Sequence, residues 1–413
     1  MKRLSIIISI ALGAMLIIPF SIIAQNQNVE FKCKGFVDVY HAVRSSSPHE
    51  FMSSRSRVRM EVEATKDNSY LFVSLNSQYN NLLPDQTKIE LREAFLQYTT
   101  NHIDLKVGRQ IVIWGISDAM RITDVVSPLD MTEFLAQDYD DIRMPVNAFK
   151  FRYFNSKMSL ELLYIPISSF YVVPTDLSNP WSIRTAADRF AVDANLGKYP
   201  DKNLENSEYG GRLSFFLSGI DIGLCALHTW NKMPVIECEL SASSDTVFMR
   251  GKYDRMDMVG GDITFPVGKF VVRGESAIYF DELLQSYSSS DVRRNTLNYL
   301  LGIDCYPGSE WTLTAQYSRK YIPNYKPTIS LNRSSEMATL GITKNILQST
   351  MKLSNFLYYD MTNKGAFNRF SADYAISDQI HLIIGYDYFD GEEGTFRLYK
   401  DNSEFWIKAK FSF

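Results

Sequence analysis

Ser54 to Thr65, reading SRSRVRMEVEAT, is the stretch on which the fold turns. Val58, Met60, Val62 and Ala64 alternate with Arg55, Arg57, Arg59, Glu61 and Glu63. Side chains of an extended chain point to opposite faces in turn, so this segment is a strand with one apolar and one charged face. Charge at every second position is costly inside a soluble core. It suits the wall of a barrel whose apolar side meets lipid and whose polar side lines a wet lumen.

The same period runs outward in both directions. In the last segment Phe405, Ile407, Ala409, Phe411 and Phe413 share one face, and Trp406, Lys408, Lys410 and Ser412 the other. Counting from Phe31 to Val43 through Ile380 to Phe389, and including these two, the pattern predicts about 18 strands, with 16 the neighbouring even count expected of bacterial barrels. Glu93 and Arg109 break the alternation, which a bulge beside Gly108 or a different register would explain. Short turns (Lys66 to Asn68, Thr100 and Asn101, Ser156 and Lys157, Ser377 to Gln379) alternate with longer connections (Asn80 to Thr87, Ser168 to Asn206, Asn231 to Lys252). The expected fold is therefore all-β: a transmembrane up-and-down antiparallel β-barrel with both termini periplasmic. Tyr358, Tyr359, Tyr386, Tyr388 and Phe389 lie near strand ends, as in an aromatic girdle. A soluble β-sandwich is the competing class, but it does not readily account for one unbroken series of strands this long.

The N-terminus places the chain in the envelope. Lys2 and Arg3 precede an apolar run from Leu4 to Ile23, and a small residue, Ala24, follows. This is read as a signal peptide over residues 1–24, leaving 25–413 as the barrel; an uncleaved anchor is the alternative. No later run is apolar and long enough for a membrane helix. The 43 basic and 47 acidic residues give a net charge of −4, which argues against nucleic acid as a partner. Four cysteines, Cys33, Cys225, Cys238 and Cys305, are too few for a disulfide scaffold; Cys225 and Cys238 flank one loop, where a bridge competes with the simpler unpaired reading.

One segment leaves the strand rhythm. Trp114 to Pro145, residues 114–145, is the putative constriction: a long, partly helical loop folded into the lumen, its helix expected from Ser127 as N-cap, Pro128 at the first helical position and Asp130 behind them. It carries Arg121, Asp124, Asp130, Glu133, Asp138, Asp140, Asp141 and Arg143. Arg55, Arg57 and Arg59 should form a basic wall opposite these acids, with Glu61, Glu63, Arg109, Lys150 and Arg152 completing the pore lining. Opposed charges across a narrow gap govern which ions and solutes pass. The competing view is that the charges only pair with each other in a plugged lumen.

The five histidines, His41, His49, His102, His228 and His381, show no catalytic or metal-binding spacing, and no phosphate loop, CxxC or HExxH motif is present. No enzyme activity, cofactor or metal is expected. The apolar stretch Phe170 to Val173 and Trp181, inside a long connection, would either cap the barrel, bind a partner or pack on neighbouring loops.

Two stretches carry a resemblance. The C-terminal FWIKAKFSF, with Phe405, Ile407, Phe411 and Phe413, resembles the terminal strand by which the outer-membrane barrel-assembly machinery recognises its clients. GRQIVIWG from Gly108, followed by SPLD at Ser127 to Asp130, resembles a porin-like outer-membrane family of unknown function that has a Gly-Arg-Gln strand, a Trp-Gly pair and a Pro-x-Asp segment. Here Ile116 and Ser117 precede Asp118, where that pattern has an acid directly after the glycine. The resemblance implies a Gram-negative outer-membrane barrel with an internal loop. Its members often occur beside efflux-type transporters, which admits a periplasmic transporter partner. The expected function is passive or facilitated diffusion of small solutes, in contact with outer-membrane lipid and as a monomer or homo-oligomer. The alternative is a conduit or accessory barrel for export of hydrophobic or lipid-like compounds.

Overall fold

The computed structural model describes residues 29–118, 120–182, 191–241, 245–287, 292–308 and 310–413. The expected signal peptide lies outside them. Eighteen antiparallel strands, from Glu30–Arg44 to Glu404–Ser412, close into one barrel. Nearly every strand pairs with its chain neighbour; where the chain leaves the wall, Met158–Ile165 resumes pairing with Glu208–Leu217, and Ile220–Trp230 with Arg255–Val267. The first and last strands seal the ring, with His41 opposite Ile407 and Val43 opposite Phe405. Gly35 and Phe413 exchange two backbone hydrogen bonds of 2.9 and 3.0 Å across that seam. Closure of this kind removes exposed edges altogether.

The period-two pattern sorts the faces as expected. Ile384, Phe405 and Ile407 are exposed on the outside, while Asp38, Arg57, Asn76, Asp387 and Glu404 are buried on the inside. A soluble protein places these groups the other way round. Phe411 and Phe413 sit at the terminal end of the seam, their rings 6.2 Å apart.

Three local expectations are corrected. The register shift lies at Arg92, because Glu93 pairs with Ser74 and Leu91 with Leu75, leaving Arg92 as the extra residue. Gly108 instead takes φ +131, where an added Cβ would lie 2.3 Å from the Ala94 carbonyl oxygen. No helix starts at Ser127: its hydroxyl accepts the Val112 N–H at 3.0 Å and is not free to cap, while Leu129 bridges to Arg143 and Asp130 to Val172. The helix within the loop is the single turn Tyr139–Ile142. All four cysteines are free, with Cys225 packed on Met258.

One element was not foreseen. Ala191–Asn195, Val235–Leu240 and Thr246–Lys252 form a separate three-stranded sheet from two long connections.

Candidate functional site

The segment after Gln110 turns into the barrel and is gripped from three sides. On the first side, Arg55, Arg57 and Arg59 project inward from one strand, opposite Tyr40, Asp38 and Phe36 of its neighbour. Arg57 lies 2.6 Å from Asp38 and 2.9 Å from Asp141, and Arg59 reaches the other oxygen of Asp141 at 2.9 Å. Arg55 pairs with Glu133 and stacks 4.4 Å over the Tyr40 ring. The bulge turns Arg92 onto the same place, where it donates to the Asp140 and Asp141 carbonyls at 2.8 and 3.2 Å. Burial works against the charged form of Asp141, but Arg57 and Arg59 outweigh it and hold that carboxyl below the usual range.

On the second side, Glu275 accepts the Thr123 N–H at 2.6 Å, the Thr123 hydroxyl at 2.7 Å and the Ile116 N–H at 3.1 Å. Arg273 binds Asp118 and Asp304, each at 2.6 Å, and the Tyr279 hydroxyl donates to the Ile122 carbonyl at 2.7 Å. Trp114 donates to Glu161 at 2.7 Å, and its carbonyl accepts from Arg212 at 2.7 Å. Gly115 between them has no room for a side chain: a Cβ would sit 2.9 Å from the Asp124 Cβ and 3.0 Å from Glu275 Oε1.

The third grip comes from the strands near the seam. Arg369 is bound to Asp387 at 3.0 Å and donates to the Ala136 and Gln137 carbonyls at 2.7 and 3.0 Å. Lys408 pairs with Asp138 at 2.8 Å. Above them Phe134 stacks on Tyr399 with centroids 4.3 Å apart, and Trp181 packs against Phe389. The apolar connection around Trp181 thus packs on its neighbours, with Phe170 on Tyr199 and Tyr253.

The expected acids do not form one face. Glu133 and Asp141 meet the arginine wall, Asp138 meets Lys408, and Asp124 pairs with Arg143 inside the loop. Asp130 accepts from Thr132, Arg121 donates to the Tyr171 hydroxyl at 2.7 Å, and the Asp140 side chain is exposed. Glu61 and Glu63 pair with Lys34, at 3.7 and 2.6 Å, toward the terminal end. Lys150 pairs with Glu161, which also holds Trp114, and Arg152 pairs with Asp104, both at 3.3 Å. Arg109 does not line the interior: it shares the outer face of Val107, opposite Asn147, and its Nε donates to the Leu91 carbonyl at 2.8 Å. Arg92, Arg369 and Asp387 escaped the expected set. Arg369 and Asp387 share faces with large aromatics that hide the polar alternation, whereas Arg273 and Glu275 do alternate visibly within FVVRGESAIYF.

Space remains along the wall away from the arginines. Three cavities of about 320, 430 and 340 Å³ follow one another there. The first lies beside Arg319, Lys320 and Glu336; Tyr358 lines both it and the second, and Asp138 and Arg369 line both the second and the third. The third opens among Lys352, His381 and Lys410 toward the terminal end.

The family described as "Protein of unknown function (DUF1302)" matches residues 20–413. No curated protein matches the chain. Among solved structures it is similar to OccAB3 of Acinetobacter baumannii, with a TM-score of 0.53 and 10% identity, covering 93% of this chain and 99% of that one. It is equally similar to OccK8 (OprE) of Pseudomonas aeruginosa, TM-score 0.53, 7% identity, 93% and 98% covered. Identities this low speak to the barrel fold alone.

Proposed function

We propose, for a chain that belongs to the DUF1302 family of proteins of unknown function, a porin-like outer-membrane channel through which small solutes diffuse without chemical change. The observation that carries this reading is the file of three cavities between the latched loop and the opposite wall, neighbours that share Tyr358 and then Asp138 and Arg369 in their linings. The basic wall of Arg55, Arg57 and Arg59 and the acidic loop set selectivity together: their ion pairs fix the loop to one side, and so decide which residues line the remaining passage. In this reading residues 1–24 are removed on export, both termini are periplasmic, and the apolar outer face meets lipid.

Planar-bilayer conductance of the purified protein tests it, intact and with Ser117 to Asp141 replaced by a short Gly/Ser linker. A steady conductance that grows several-fold on replacement supports a constricted channel. Silence from both folded proteins would sink the channel reading. The aromatic cluster of Phe134, Trp181, Phe389 and Tyr399 favours a second reading, a conduit for hydrophobic or lipid-like compounds. That conduit would be silent intact, conduct once the loop is gone, and retain lipid through purification.

A further inference from the structure

The third cavity is chemically unlike the other two. Lys352 and Lys410 both line it, and among the described residues neither has a carboxylate within ion-pair distance. Lys410 is held only by the Phe36 ring, with its Nζ 4.6 Å from the centroid. Lys408 is committed to Asp138 at 2.8 Å and Arg369 to Asp387 at 3.0 Å, while the Asp373 carboxylate, across from Lys352 and 2.8 Å from His381, offsets one lysine. The two lysines outnumber this one acid, and the cavity is left positive. Ser371 and Ser412 add hydroxyl donors, while Ile383 and Trp406 give the same space an apolar side.

We infer that this vestibule binds a small organic carboxylate, with its head between Lys352 and Lys410 and its apolar body against Ile383 and Trp406. An ammonium is a point charge that takes a carboxylate without demanding bidentate geometry. The planar fork that could grip an oxyanion in bidentate fashion belongs to Arg369, and both of its edges are already occupied by Asp387 and by loop carbonyls. A volume of about 340 Å³ lies at the lower end of small-molecule pockets. Lys352 and Lys410 stand nearest the terminal end, Lys408 one inward step further and Arg369 beyond it. This inference deepens the channel reading and rests on it, because the vestibule is one mouth of that passage.

Equilibrium titration of the detergent-purified full-length barrel separates the two claims, since binding is read without conductance. Benzoate, inorganic phosphate and benzylamine are the probes, with intact folding checked by the far-UV β-sheet signal. The expected result is saturable benzoate binding, at least tenfold weaker in the K352Q/K410Q double variant, with phosphate and benzylamine weaker than benzoate in the parent. No benzoate binding, binding unchanged in the double variant, or phosphate bound as tightly as benzoate would overturn the inference. Benzoate binding by a barrel that never conducts would leave the site standing and remove the channel.

Discussion

Two walls of one barrel have been put to different uses. The wall built by Glu30–Arg44, Phe51–Lys66 and Ser69–Asn80 directs its charges into the loop, and each inward arginine meets a carboxylate or a loop carbonyl. The wall from Ser334–Ile346 to Ile380–Gly391 touches the loop through Arg369 and through Phe389, which packs on Phe134, and elsewhere lines the cavities. Alternation makes both walls polar inside, and the first, denser in charge, supplies three ion pairs to the loop. The same residue types that would select ions across water act here as a fastening.

The sharpest way to break that contrast is to unfasten the loop. Arg57→Ala with Arg59→Ala leaves Asp38 and Asp141 buried without their partners, at a cost of about 3–5 kcal/mol in loop docking. Single-channel conductance should rise and become noisy; an unchanged trace would mean that the arginines do not position the loop. A smaller effect is expected from Gly115→Ala, whose methyl must displace Asp124 or Glu275 at a cost of about 1–3 kcal/mol. Hydrogen exchange of the Ile116 and Thr123 amides should accelerate, while the strand amides stay protected. Tyr358→Ala acts on the other wall: it widens the junction of the first two cavities, so conductance should rise by less than in the arginine variant and without added noise.

The smallest expected effect is that of mild acid. Asp141 has its carboxyl depressed in the folded barrel, so its contribution is complete above the unfolded value of about 3.9 and is lost only as pH falls through the lower folded value. Conductance should therefore hold between pH 8 and 5, and Asp141→Asn should reproduce the unfastened behaviour at pH 7. A step in that pH range absent from Asp141→Asn would assign the titration to Asp141 and contradict the sign.

The barrel was legible because alternation is local: Ser54 to Thr65 announces its two faces without help from any other strand. Long connections likewise marked the internal loop. What alternation cannot show is pairing across the lumen, since Arg57 and Asp141, or Thr123 and Glu275, meet only after the ring closes. The expected helix at Ser127 failed for the same reason, its cap being taken by Val112. Arg109 was misplaced against the alternation of its own strand, which puts it on the exposed face of Ile103 and Val107 and leaves Asp104 and Gln110 inside. The three-stranded sheet joins two distant connections, so neither carried its signature alone.

Thiol accessibility during conduction tests the two-wall account most directly. With Cys33, Cys225, Cys238 and Cys305 replaced by serine, a cysteine is placed at Ser354, which lines the third cavity, or at Asn76, which is bound to Arg59 on the fastened wall. A charged thiol reagent should block the current of Ser354→Cys and leave that of Asn76→Cys unchanged. Block at Asn76→Cys with none at Ser354→Cys would put the passage on the arginine side and contradict the account.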